Sequence, residues 1–168
     1  MTMTINNRRV GYRDVGEVNA PAIVMIHGFP FNKSMWNEQM EALRGDCRVV
    51  AYDVRGHGES DAGDEAFSIE LFVQDLLELM DALNIRKAML CGLSMGGYIA
   101  LNAVINYPDR FNALVLSDTS CMAGHSRWNQ ATCCWKVEAT ENGIGPILPI
   151  SSQGKSPTYA RIVKGRNL

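Results

Sequence analysis

The stretch Ala88-Met89-Leu90-Cys91-Gly92-Leu93-Ser94-Met95-Gly96-Gly97-Tyr98-Ile99-Ala100 decides how this chain is read. Ala88 to Cys91 is a short apolar run of strand type, and Met95 to Asn106 continues as a helix-forming segment. Between them, Gly92-Leu93-Ser94-Met95-Gly96-Gly97 fits G-x-S-x-G. In that pattern glycines permit a sharp, strained turn that lifts a serine hydroxyl clear of a sheet. A helix starting at Met95 aims its free N–H groups and partial positive charge at the same spot. Two competing glycine motifs fail letter by letter. A dinucleotide loop needs glycine where Ser94 stands, and a P-loop needs lysine where Tyr98 stands. The plain alternative is a serine that only caps its helix.

Working outward, strands and helices alternate. Met3 to Ile5 and Val10 to Tyr12 predict a hairpin around Asn6-Asn7. Ala22 to Ile26 is continuously apolar, as a strand buried on both faces must be. Ser34 is expected to cap a helix running through Leu43. Val49 to Tyr52 is the next strand. Ser68 then opens a helix whose Ile69, Phe72, Val73, Leu76, Met80 and Leu83 fall on one face of a 3.6-residue period. Ala113 to Leu116 is a further strand. Strands alternating with helices through short connections imply a mostly parallel sheet with helices on both faces, an α/β fold.

In such sheets chemistry collects at the carboxyl ends of the strands. Ser94 occupies one such end. A second carries His27-Gly28-Phe29-Pro30, and a third Asp53-Val54-Arg55-Gly56-His57-Gly58-Glu59-Ser60. A serine attacking an acyl carbon creates an oxyanion that needs two fixed N–H donors. The backbone N–H groups of Met95 and Phe29 are the candidates. His27 is expected to shape its loop by hydrogen bonding rather than act as a base. The 53–60 segment is expected to be a polar turn whose charges pair locally.

Taken in order, these three segments, with Tyr107-Pro108-Asp109-Arg110-Phe111 leading into Leu114-Val115-Leu116-Ser117-Asp118-Thr119, resemble the N-terminal half of the α/β-hydrolase superfamily. The style is similar to bacterial esterases, 3-oxoadipate enol-lactonase-type lactonases and C–C bond hydrolases. The resemblance implies a hydrolase that needs no metal or organic cofactor, with Ser94 as nucleophile. It also implies a catalytic acid and then a histidine later in the chain. The strands that would carry them are not apparent, so the fold is expected to be incomplete, its last strands missing. Asp118 as the acid and His125 as the base keep the required order. His125 lies seven residues beyond Asp118, a reach of at most about 25 Å when extended. The alternative is that Asp118 caps a turn and His125 is solvated.

The chain is expected to divide into a core, residues 1–121, and a divergent, partly irregular or disordered tail, 122–168. The tail is basic, with Arg127, Lys136, Lys155, Arg161, Lys164 and Arg166 against Glu138 and Glu141. Within it, Val137 to Gly145 resembles a helix of the family's cap region. The departure after Cys121 suggests a shifted or interrupted reading frame, which the coding DNA for residues 121–168 would test. If the sheet ends with Ala113 to Leu116, that edge is open to self-association unless Trp128, Trp135, Ile144, Ile147, Leu148 or Ile150 cover it.

Composition narrows the partners. With 168 residues, 46% hydrophobic and a net charge of −2, the chain can bury a real core and offers no charge-based attraction to nucleic acid or membrane. No apolar run is long enough for a membrane span or a secretory signal, so the expected location is the cytoplasm. Five cysteines without zinc-ligand spacing predict neither a metal site nor a disulfide framework. The expected function is hydrolysis of a small carboxylic ester, thioester or lactone through an acyl-enzyme on Ser94. The alternative is a non-catalytic remnant or binding module that keeps the fold and lacks acid and base. A minor third reading is a cofactor-free oxidoreductase-like side activity of the kind perhydrolysis-capable relatives share. The substrate itself is not legible.

Overall fold

The computed structural model describes residues 1–119 and the backbone of residues 134–140 and 143–150. Six strands form one sheet: β1 (Thr2–Ile5), β2 (Arg8–Val15), β3 (Ala22–Ile26), β4 (Arg48–Tyr52), β5 (Ala88–Leu93) and β6 (Phe111–Ser117). Their spatial order is β1-β2-β4-β3-β5-β6. β4, β3, β5 and β6 run parallel, while β2 pairs antiparallel with both β1 and β4. Asn6 and Asn7 turn the β1–β2 hairpin with φ of 47° and 61°, left-handed values that asparagine tolerates better than most residues.

Alternation along β3 sorts the core into two layers. Val24 and Ile26 face one side, where α2 (Ile69–Ala82) and α3 (Met95–Asn106) bury Phe72, Leu76, Ile99 and Val104. Ile23 and Met25 face the other, against Trp36 and Met40 from the short helical segment that ends in α1 (Asn37–Leu43). Helices therefore cover both faces, as the continuous apolar run of β3 requires. Ser68 caps α2, its hydroxyl accepting from the Leu71 N–H at 3.1 Å. Among the described residues no helix is long and apolar enough to cross a membrane.

Two expectations need correction. The first turn before α1 is a 3-10 segment, Lys33–Trp36, and its cap is Asn32, whose side chain accepts from the Ser34 N–H at 2.9 Å. Ser34 lies inside that turn and donates its backbone instead of capping. An Asx side chain two residues upstream reached the free N–H first. Second, the described residues of Val137 to Gly145 are strand, not helix. They fall within a hairpin of β7 (Cys134–Thr140) and β8 (Gly143–Ile150), which form their own two-stranded sheet. Among the described residues β6 is thus the outermost strand of the sheet, with the backbone of β8 close by but not paired into it.

Candidate active site

The loop leaving β5 and entering α3 is one residue long. Ser94 makes the whole turn, with φ 48° and ψ −111°. Such a conformation costs a non-glycine residue about 1–3 kcal/mol and persists only where its surroundings enforce it. Here they do. The Ser94 N–H donates to the Ser117 carbonyl at 3.0 Å, and the Gly97 N–H donates back to the Ser94 carbonyl at 2.9 Å. Flanking glycines allow the close approach. A Cβ on Gly92 would strike the Gly96 carbonyl, and one on Gly96 would strike the Ile26 and His27 carbonyl oxygens. The Ser94 side chain makes no capping bond to α3, so its hydroxyl is not spent on the helix. The helix-capping alternative for this serine fails on that point.

Beside it lies the loop after β3. A Cβ at Gly28 would stand 3.3 Å from the Ser94 Cβ and 3.2 Å from the Leu93 carbonyl, so the backbone of this loop borders the serine directly. Phe29 follows with its side chain 70% exposed. Met95 is the first residue of α3, so its N–H has no partner inside the helix. The structure thus brings Ser94, Met95 and the loop carrying Phe29 to one place.

His27 lies fully buried beneath this loop. Its Nδ1 is 2.9 Å from the Gly28 carbonyl and its Nε2 is 2.9 Å from the Val54 nitrogen. A carbonyl can only accept and an amide N–H only donate, so the ring is the neutral Nδ1–H tautomer with both nitrogens engaged. Burial pushes its pKa below the ordinary 6.5, and the nearby His57 and Lys33 charges push the same way. The expectation of a loop-shaping histidine is consistent with this geometry. His57 Nδ1 donates to the Arg55 carbonyl at 3.1 Å, and its ring stands edge-on to both His27 and Phe29, at centroid distances of 5.1 and 5.8 Å.

The polar turn after β4 is built around the buried carboxylate of Asp53. Asp53 accepts from the Lys33 N–H at 2.7 Å, the Lys33 ammonium at 2.6 Å and the Glu59 N–H at 2.9 Å. Lys33 also reaches Glu59 at 2.6 Å. Burial alone would lower the Lys33 pKa, but the two carboxylates outweigh it and raise the group above its usual value. Pairing is therefore wider than the expected local pattern: Lys33 comes from the segment after the Phe29 loop and ties that loop to β4. Nothing in the sequence near Asp53 signals this partner, twenty residues upstream. Arg55 likewise leaves the turn, pairing with Asp75 of α2 at 2.8 Å and with Glu65 at 2.7 Å.

Asp118 follows β6 on an exposed turn with φ 44°. That turn abuts the serine: the Thr119 hydroxyl donates to the Ser117 carbonyl at 3.0 Å, and a Cβ on Gly97 would strike it. His125 lies outside the described residues. Cys91 is held among apolar groups, and burial lifts its thiol to about 11, which leaves it protonated and unreactive at neutral pH.

Comparison with known proteins agrees with this architecture. A family model described as alpha/beta hydrolase fold matches residues 21–132. The chain is 30% identical to 3-oxoadipate enol-lactonase 2 of Acinetobacter baylyi, covering 87% of this chain and 54% of the relative. It is 37% identical to 3-oxoadipate enol-lactonase 1 of the same organism, covering 79% and 48%. Among solved structures, the enol-lactonase of Burkholderia xenovorans superposes with a TM-score of 0.68 and 38% identity, over 71% of this chain and 47% of that one. The chain spans about half the length of the curated relatives it matches. An alignment covering 87% of 168 residues necessarily runs past residue 121.

Proposed function

The chain belongs to the alpha/beta hydrolase fold family, and from that premise we propose that it is a serine hydrolase acting on a small carboxylic ester, thioester or lactone. The observation that carries this reading is the posture of Ser94: strained backbone, hydroxyl free of the helix, and the Gly28–Phe29 backbone alongside. The Ser94 Oγ attacks the acyl carbon and gives its proton to a general base. Negative charge on the acyl oxygen is received by the N–H groups of Phe29 and Met95. The C–O or C–S bond then breaks, the leaving group takes the proton, and water releases the acid from Ser94 by the same steps in reverse. Asp118 as the acid and His125 as the base complete this assignment. A lactone is supported by the names of the enol-lactonase relatives, and an ester by a Thermogutta terrifontis esterase structure at 34% identity and a TM-score of 0.65.

A second reading, a binding module without turnover, is favoured by one observation. Among the described residues both ring nitrogens of His27 are engaged, and His57 is turned to the Arg55 carbonyl, so neither is hydrogen-bonded to Ser94. The two readings separate on a fluorophosphonate probe, which phosphonylates only an activated serine. Labelling of the intact chain that disappears in Ser94→Ala supports the hydrolase. A folded wild-type chain that stays unlabelled yet binds small acyl compounds supports the binding module.

A further inference from the structure

We propose that Thr119 is a positioning residue for Ser94, wedged into the space that Gly97 leaves open and holding the first turn of α3 against the end of β6. The inference rests on the reading of Ser94 as nucleophile and of the Met95 N–H as an oxyanion donor. The strained Ser94 backbone is held at two points. Its N–H donates to the Ser117 carbonyl at 3.0 Å, and its own carbonyl accepts the Gly97 N–H at 2.9 Å and the Tyr98 N–H at 3.3 Å. Thr119 reaches both. Its hydroxyl oxygen is 3.0 Å from the Ser117 carbonyl oxygen and 3.4 Å from that of Ser94. A hydroxyl has one proton to give, and the shorter bond takes it. The Ser117 oxygen, with two lone pairs, therefore holds the Ser94 amide and the Thr119 hydroxyl at once.

The same side chain fills a place that the helix needs empty. A Cβ built on Gly97 would fall on the Thr119 Oγ1 and stand 2.6 Å from its Cγ2 and 2.7 Å from its Cβ. Thr119 thus takes the side-chain position of the third residue of α3. Asp118, at φ 44°, makes the reversal that returns Thr119 over the helix. A shift of that first turn toward β6, which would let the Ser94 backbone relax, runs into the threonine. The Met95 N–H moves with the turn, so the wedge also sets where negative charge is received. Oxygen is the atom that fits: a methyl carbon rests no closer than about 3.3 Å to a carbonyl oxygen. Valine, of equal shape, must turn away or push the Ser117 carbonyl.

Three substitutions separate the oxygen from the bulk. Thr119→Ser keeps the oxygen, Thr119→Val keeps the bulk and Thr119→Ala keeps neither. Positioning by the anchored wedge predicts that the fluorophosphonate labels Thr119→Ser within a few-fold of wild type. Thr119→Val and Thr119→Ala should be slowed by about 10- to 10²-fold, the scale of loss that a displacement of about 1 Å brings. The loss should sit in the inactivation rate constant, not in probe affinity, with melting temperatures close to wild type. Labelling that follows thermal stability across the three variants would overturn the proposal. So would Thr119→Val or Thr119→Ala labelled at the wild-type rate, and so would the failure of both to fold, which makes the threonine a structural residue only.

A folded but unlabelled wild type would mean that the serine reading has failed, and residual dipolar couplings then decide the Thr119 assignment. The Met95 and Gly97 N–H vectors should keep one orientation relative to β5 in wild type and Thr119→Ser, and should turn in Thr119→Val and Thr119→Ala. Unchanged vectors in those two variants reject the proposal.

Discussion

His27 shows how one side chain can tie stability to pH. Its pKa is held below the ordinary 6.5 by burial, so between the two values the unfolded chain binds a proton that the folded chain refuses. Stability contributed by the neutral ring is complete above pH 6.5 and is lost as pH falls through the ordinary histidine value toward the lowered one. Urea unfolding of the wild type should therefore show a midpoint that drops as pH falls from 7 to 5. His27→Asn, which has no imidazole to protonate, should show a flatter profile over the same range; equal slopes would assign the acid sensitivity elsewhere. At this scale the sequence was legible where the signal is local. The Ser94 turn, its glycines and the loop-shaping part of His27 all follow from neighbours a few residues away. The Lys33–Asp53 bridge does not, because a buried carboxylate takes its partner from whatever the fold brings near.

Among the elements, α2 is where periodicity and chemistry diverge. Its apolar face follows the 3.6-residue spacing, and Ser68 caps it as expected. Yet Asp75, on the same helix, is buried between two arginines: Arg8 from β2 at 2.5 Å and Arg55 from the turn after β4 at 2.8 Å. Hydrogen bonding to Asp75 and Glu65 raises the Arg55 pKa further, so its charge is permanent. Removing the carboxylate takes the buried counter-charge from two guanidinium groups and leaves them only the more exposed Glu65 and Glu78. Asp75→Asn should cost about 3–5 kcal/mol of unfolding free energy by denaturant titration, while leaving the secondary structure at β5 and α3 intact. A loss under 1 kcal/mol would mean that water reaches the cluster freely. Charge in a helical pattern carries no label for its partner, so this joint between hairpin, turn and helix was invisible in the sequence. The cap expected at Ser34 has a similar outcome: Asn32, extended at φ −145°, caps the 3-10 segment that precedes α1, and α1 itself has no side-chain cap.

For the molecule as a whole, the mostly parallel sheet with helices on both faces was recoverable because alternating apolar runs and helical stripes admit few arrangements, while the strand order came only from the structure. The hairpin of β7 and β8 was not recoverable, since Val137 to Gly145 carries neither a clear alternation nor a helical stripe. Among the described residues the parallel sheet ends at β6, and an end strand presents unpaired backbone groups. We expect that edge to drive self-association: sedimentation velocity over a concentration series should show a shift from monomer to a larger species. A chain that sediments as a monomer throughout would indicate that the edge is covered from within, the β7–β8 hairpin being placed to do so. The amide of Ser94 hangs from the carbonyl of Ser117, the last residue of this same outermost strand. Fraying at the rim would thus be felt directly at the Ser94 turn, and slow deuterium uptake at the Ser94 amide would measure how firmly the border of the sheet is clamped.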